Sequence, residues 1–198
     1  MGDQWDVNTF CDEELLKFVA MNTSIRLSQR TWGQRVVGVE DLRTAHEDAT
    51  ASKIGTHPFL FMTGEAEFRF DRVESEVLGE FFRRGGFLYC DDCVGTGPGD
   101  YFFRACLEQI PKVLPEGELK PVSHEHAIYH CLYDLPNGAP VCQGTAHEAH
   151  GLFLKDRLVA FMTPGDVHCG WWTPYFGEKL AEQSYQMGTN IIVYSLTH

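Results

Sequence analysis

No stretch of this chain approaches the ~20 consecutive apolar residues that a membrane-crossing helix needs. Basic residues are also few, 16 Lys and Arg against 28 Asp and Glu, for a formal net charge of −12. Nucleic acid and anionic membrane surfaces both call for a positive face, so neither is expected as a partner. Internal repeats, low-complexity tracts and long linkers are missing, and a single domain over residues 1–198 is the expectation. The opening Met1-Gly2-Asp3-Gln4-Trp5-Asp6 has no basic region and no apolar stretch, so it does not read as a secretory signal. A leader already removed would leave no trace there. The seven cysteines are odd in number and spread along the chain, against an all-disulfide scaffold; reduced thiols in a cytoplasm are expected.

What is present is a strand that ends in acids and thiols. In Arg84-Gly-Gly-Phe-Leu-Tyr-Cys-Asp-Asp-Cys93 the glycines close a helix and Phe87 to Tyr89 form a short run of buried-strand type. Two carboxylates and two thiols follow, and Gly95, Gly97, Pro98 and Gly99 open a loop. Ligands of open α/β sheets bind just outside the carboxyl ends of the strands, and charge is costly to bury there without a purpose.

Along the chain, Asp12 can cap a helix with Leu15, Leu16 and Val19 inward. Val36 to Val39 reads as a short strand. Phe59 to Thr63 is a continuous apolar run of the kind buried on both faces of a parallel sheet. Asp71 and Glu74 make a capping-box start for a helix with Val73, Val77, Leu78, Phe81 and Phe82 at helical spacing, stopped by Gly85. Strand–helix–strand over Phe59 to Tyr89 is the right-handed unit of a parallel sheet. Asp100 is expected to cap the next helix and Pro111 and Pro115 to end it. Residues 116–150 look irregular, with Ile128 to Tyr133 as a candidate strand. Gly151–Leu154 and Leu158–Met162 around Lys155-Asp156-Arg157 read as a hairpin. Helical spacing runs from near Phe176 to the end, although the β-branched run Ile191 to Val193 makes a strand the competing assignment.

His57-Pro-Phe-Leu-Phe-Met-Thr-Gly64, Gly85-Gly-Phe-Leu-Tyr-Cys-Asp-Asp92, Ile128-Tyr-His-Cys-Leu-Tyr-Asp134, Gly165-Asp-Val-His-Cys-Gly-Trp171 and the ending from Gly188 to His198 occur in that order. Together they resemble the DUF4159 family, over residues 12–198. The resemblance implies a flavodoxin-like sheet related to class I glutamine amidotransferases, and no established activity. It places the family's acidic pair at Asp91 and Asp92, and a His-Pro-Ile-x-His segment at His126 to His130, where Ala127 replaces the proline. It carries no requirement for His147, His150, His168 or the full cysteine set.

Cys90-Asp-Asp-Cys93 has redox-pair spacing, but strand residues three apart face opposite ways and the intervening acids disfavour thiolates. Cys90 reads as a small core residue and Cys93 as the functional one. A nucleophile elbow at Cys93 would need a base, and no His-x-Glu pair follows it, so thiol catalysis is a subordinate reading. Asp91 and Asp92 should point to opposite faces, one serving backbone N–H groups and the other, Asp92 by preference, a pocket as metal ligand or general base. Seven of the nine histidines lie after residue 120, among further cysteines. Singly each histidine is expected at the surface or hydrogen-bonded. Jointly, Asp92, Cys93, His126, His130, His147, His150, His168 and Cys169, with Asp166 in the late loop, are candidate ligands for a metal. Trp171, Trp172, Tyr175 and Phe176 are aromatics that line either a pocket or the core.

The expectation is a three-layer α/β fold with a mostly parallel, flavodoxin-like sheet and a late β-hairpin. Its site lies at the carboxyl edge, with Asp92 and Cys93 as the catalytic candidates. Zinc is the first metal, with iron or nickel behind it, and the chemistry would be hydrolytic, on a small-molecule ligand. The alternative is a non-catalytic domain that binds a protein partner and kept the fold without the chemistry.

Overall fold

The Asp71–Glu74 capping box forms as its spacing predicts. Asp71 Oδ1 accepts the Glu74 N–H at 2.9 Å and Glu74 Oε2 accepts the Asp71 N–H at 2.8 Å. The helix it opens ends at Gly85, whose φ of 102° is open to glycine and costly for a side chain. In a computed structural model that describes residues 8–27, 57–94, 100–145 and 147–198, this helix joins two parallel strands of a mixed sheet. The strand assigned to Val36 to Val39 and the loop from Gly95 to Gly99 lie outside the described residues.

The described elements are α1 (Thr9–Asn22), β1 (Phe59–Gly64), α2 (Arg72–Arg83), β2 (Phe87–Asp92), α3 (Tyr101–Val113), β3 (Glu118–Pro121), β4 (His150–Leu154), β5 (Arg157–Thr163), α4 (Thr173–Phe176) and α5 (Glu178–Thr197). The five strands stand in the order β1-β2-β5-β4-β3. β1, β2 and β5 are parallel neighbours, while β4 runs antiparallel to both β5 and β3, so that β4 alone of the five opposes the common direction. The β4–β5 hairpin turns at Lys155, which takes a left-handed φ of 57°.

Alternation along β2 builds the two cores. Phe87 and Tyr89 pack with Leu15 and Val19 of α1 and Met187, Ile191 and Tyr194 of α5. Leu88 and Cys90 pack with Val77, Leu78 and Phe82 of α2 and Phe103, Cys106 and Ile110 of α3. The sheet is thus the middle of three layers.

Several local expectations shift. Asp12 lies in the first turn of α1, whose N-cap is Asn8. Phe59 to Met62 are only half-buried, because β1 has a single neighbour among the described strands. Pro111 sits inside α3, which runs on to Val113. Ile128 and Tyr129 belong to a 3-10 turn, Ala127–Tyr129, rather than to a strand, and β3 at Glu118–Pro121 was hidden by its short, polar composition. Ile191 to Val193 stay helical in α5, where Ile191 is buried against the sheet: the helical period of the whole segment outweighs β-branching. None of the described helices is long and apolar enough to cross a membrane.

Candidate metal centre

β2 and β5 pair in parallel from Leu88↔Ala160 to Asp91↔Thr163, which brings their carboxyl ends to one edge. The two acids that end β2 then part company. Asp91 faces the α1/α5 layer, where its Oδ2 accepts the His168 N–H at 2.7 Å and its Oδ1 accepts the Thr163 hydroxyl. The Thr163 hydroxyl is also 2.9 Å from the Tyr89 phenol. Asp92 faces the α2/α3 layer, where its Oδ2 accepts the Phe103 N–H at 2.8 Å. Phe103 is the third residue of α3, so the strand supplies the cap that Asp100 was expected to give. Asp100 makes no cap bond; it pairs instead with His147 at 2.6 Å and Arg104 at 3.1 Å. Burial raises both acids of the pair to about 7, and the charge of Asp166 adds to the rise at Asp91.

Cys93 follows β2 directly, its N–H donating to the Gly64 carbonyl at 3.0 Å. Beyond β5, Asp166 adopts a left-handed φ of 52°, and Cys169 opens a 3-10 turn. Asp166 Oδ1 accepts the Cys169 N–H at 3.3 Å, and Oδ2 accepts the Gln143 side-chain amide, which also reaches the Val94 carbonyl at 2.8 Å. These bonds gather Cys93, Asp166 and Cys169, one ligand atom from each lying within 4.8 Å of the others. All three are buried, with 3%, 0% and 3% of their surface exposed. The two sulfurs are 3.8 Å apart. Two thiolates each about 2.3 Å from one tetrahedral zinc ion would stand roughly that far from each other. Burial raises Asp166, and contact with Cys93 followed by burial raises Cys169 well above the ordinary thiol range. A divalent cation would favour the anionic forms of both.

The amino end of α1 leans on this group. Asn8 Nδ2 donates to Cys169 Sγ at 3.2 Å, and Asn8 Oδ1 accepts the Tyr175 hydroxyl at 3.1 Å. His168 is fully buried, with Nε2 3.1 Å from Asp12 Oδ1 and its ring against Phe61 and Trp171. Burial opposes its charge, but Asp12 and Cys169 outweigh burial and lift its pKa to about 10. His168 lies beside the group without belonging to it.

The remaining histidines stand elsewhere. His126 Nδ1 accepts the Ile128 N–H at 3.2 Å. His130 bridges Asp134 at 2.6 Å and the His124 carbonyl at 2.7 Å. His147 stacks on Phe103, and His150 bonds the Glu148 carbonyl at 2.9 Å. Neither these four nor Asp92 joins the Cys93, Asp166 and Cys169 group. Cys90 packs with Cys106 in the α2/α3 layer, on the far side of the sheet from Tyr89, and all seven cysteines are free. Trp171 is a core residue, 2% exposed, whereas Tyr175 is 47% exposed and sits near Phe10. Asn8 and Gln143 escaped the reading of the sequence, since no spacing links either to a site.

No curated protein matches the chain. The family comparison agrees with the ordered motifs: matched over residues 1–196 by the domain of unknown function DUF4159, this chain belongs to that family.

Proposed function

We propose that this domain binds a late transition metal, zinc first, through Cys93, Asp166 and Cys169 at the carboxyl edge of its sheet. The observation that carries the reading is the convergence of two thiols and a carboxylate from two parallel strand ends, with sulfurs 3.8 Å apart. Iron and nickel stand behind zinc because half or more of the donor set is sulfur. Three protein ligands leave a fourth tetrahedral position, as in catalytic zinc sites, so the reading extends to metal-assisted hydrolysis of a small molecule. A bound metal there would supply an acidified water. Asp92, the other catalytic candidate, faces the α2/α3 layer, where its Oδ2 caps α3, so it is not assigned as the base for such a water. The near-complete burial of the three ligands favours a second reading, a non-catalytic domain in which the metal ties loops together for a protein partner.

The test is metal content of untagged protein after chelator treatment and reloading. Uptake of one zinc per chain with a rise in melting temperature is expected, and Cys93→Ser and Cys169→Ser should each abolish it. Sub-stoichiometric uptake of every late first-row metal, with no thermal shift, would overturn the proposal. Hydrolytic activity that chelation removes and zinc restores separates the first reading from the second.

A further inference from the structure

The position of Asn8 is not explained by its own helix. It is the N-cap of α1, a place where an asparagine side chain ordinarily accepts an N–H of the first turn and steadies the helix. Here it makes no such bond and turns its amide to Cys169 Sγ instead, its oxygen held by Tyr175. His168 is the second anomaly. Its side chain is 1% exposed, and among the described residues neither ring nitrogen has a hydrogen bond of good geometry. One nitrogen stands 3.1 Å from Asp12, and the ring interacts with Cys169. Side chains that stand behind a metal's ligands ordinarily orient them, and this buried imidazole, with Asp12 behind it, stands beside Cys169.

The charge of the centre calls for such support. Two thiolates and a carboxylate bring three negative charges to a divalent ion, an excess of one in a buried place. Donors aimed at sulfur spread that excess. Among the described residues Cys93 Sγ has only the Cys169 sulfur as a hydrogen-bond partner, whereas Cys169 Sγ also receives the Asn8 amide, with the His168 ring beside it.

We infer that the amino end of α1 is the outer shell of the metal centre, Asn8 and the Asp12–His168 pair being positioning residues that hold the Cys169 sulfur as a ligand. This rests on the metal-binding reading above. It also makes α1 a dependent of the metal, because its first two turns carry Asn8 and Asp12.

The experiment is a cobalt titration of the full chain, with zinc competition, on wild type, Asn8→Gly, Asp12→Asn and His168→Gln. Glycine tolerates the φ of 55° at position 8 and removes the side chain alone. Glutamine keeps an N–H facing Asp12 and removes Nδ1. Each variant should lose about 10–100-fold in zinc affinity. The sulfur-to-cobalt charge-transfer band should shift in energy, a change that a purely structural role would not produce. Should His168→Gln fail to fold, Asn8→Gly and Asp12→Asn carry the test. If wild type binds and the folded variants match it in affinity and band position, this inference falls and the metal site stands. If wild type takes up no metal, the metal-binding reading itself falls.

Discussion

Asp91→Ala is the substitution that should damage both the fold edge and the site. Asp91 accepts two buried donors, the His168 N–H at 2.7 Å and the Thr163 hydroxyl. Alanine leaves both without that acceptor, and a buried donor so stranded costs about 1–3 kcal/mol. The Thr163 hydroxyl can turn to the Tyr89 oxygen 2.9 Å away, and removing a carboxyl whose charge burial disfavours returns part of the loss. A net destabilisation of about 2 kcal/mol remains, equivalent to a melting temperature about 4–8 °C lower for a chain of this size. The His168 N–H is also the bond that fastens the segment carrying Asp166 and Cys169 to β2, so zinc uptake should weaken with stability. Asp91→Asn keeps an acceptor for His168, and Thr163 can reverse its hydroxyl, so the loss there should stay near about 1 kcal/mol. Thermal melts and zinc titration on the three proteins decide the matter. Asp91→Ala melting within about 2 °C of wild type with full uptake would refute the reasoning. Asparagine as harmful as alanine would do so too, since charge rather than hydrogen bonding would then be the cause.

Asp92→Ala should cost about 1–2 kcal/mol through the lost cap of α3, while zinc uptake persists; urea denaturation alongside metal titration checks it, and lost uptake would bring Asp92 into the ligand set. Gly170→Ala would drive a Cβ into Ser184 Oγ and to 2.7 Å from Cys142 Sγ, so destabilisation of about 1–3 kcal/mol is expected, and an unchanged urea midpoint would contradict the packing. The His124 carbonyl first, and Asp134 second, hold His130 above its ordinary value, so its contribution to stability is present below the unfolded histidine pKa and fades as pH rises through the folded one. Asp134→Asn should therefore lower the His130 midpoint in an NMR titration, and an unmoved midpoint would discount the pair. Mild peroxide treatment of chelated protein should yield a Cys93–Cys169 bridge, the sulfurs being 3.8 Å apart, and no Cys90–Cys93 bridge; peptide mapping that finds the latter would refute the placement of Cys90 in the opposite layer.

The sequence displays its regular parts through local chemistry. The Asp71–Glu74 box, Gly85 and the Lys155 turn each act over a few residues, and each appears where spacing puts it. The cap of α3 does not, because its acceptor stands eleven positions earlier on a strand, beyond the reach of any capping pattern. The same distinction holds at the centre. Cys93 and Cys169 stand out as thiols near strand ends, but their 76-residue separation is closed by β2–β5 pairing, which motif spacing cannot express. The histidine enrichment misleads as a ligand count, since His126, His130, His147 and His150 meet partners of their own nearby. Asn8 is illegible for a related reason: its partner is 161 residues away.

The two acids of β2 hold different layers, Asp91 the loop that carries His168 and Asp92 the start of α3. A strand advances its side chains in strict alternation, so this division of labour depends on parity rather than on identity. Gaining one residue between Cys90 and Asp91 would leave both acids in the sequence yet send each to the wrong side. Cys93 would turn toward α3, away from Cys169. The chain therefore should accept conservative exchanges within this tetrapeptide far better than any change in its length, and the same parity would bind any redesign of the sheet edge.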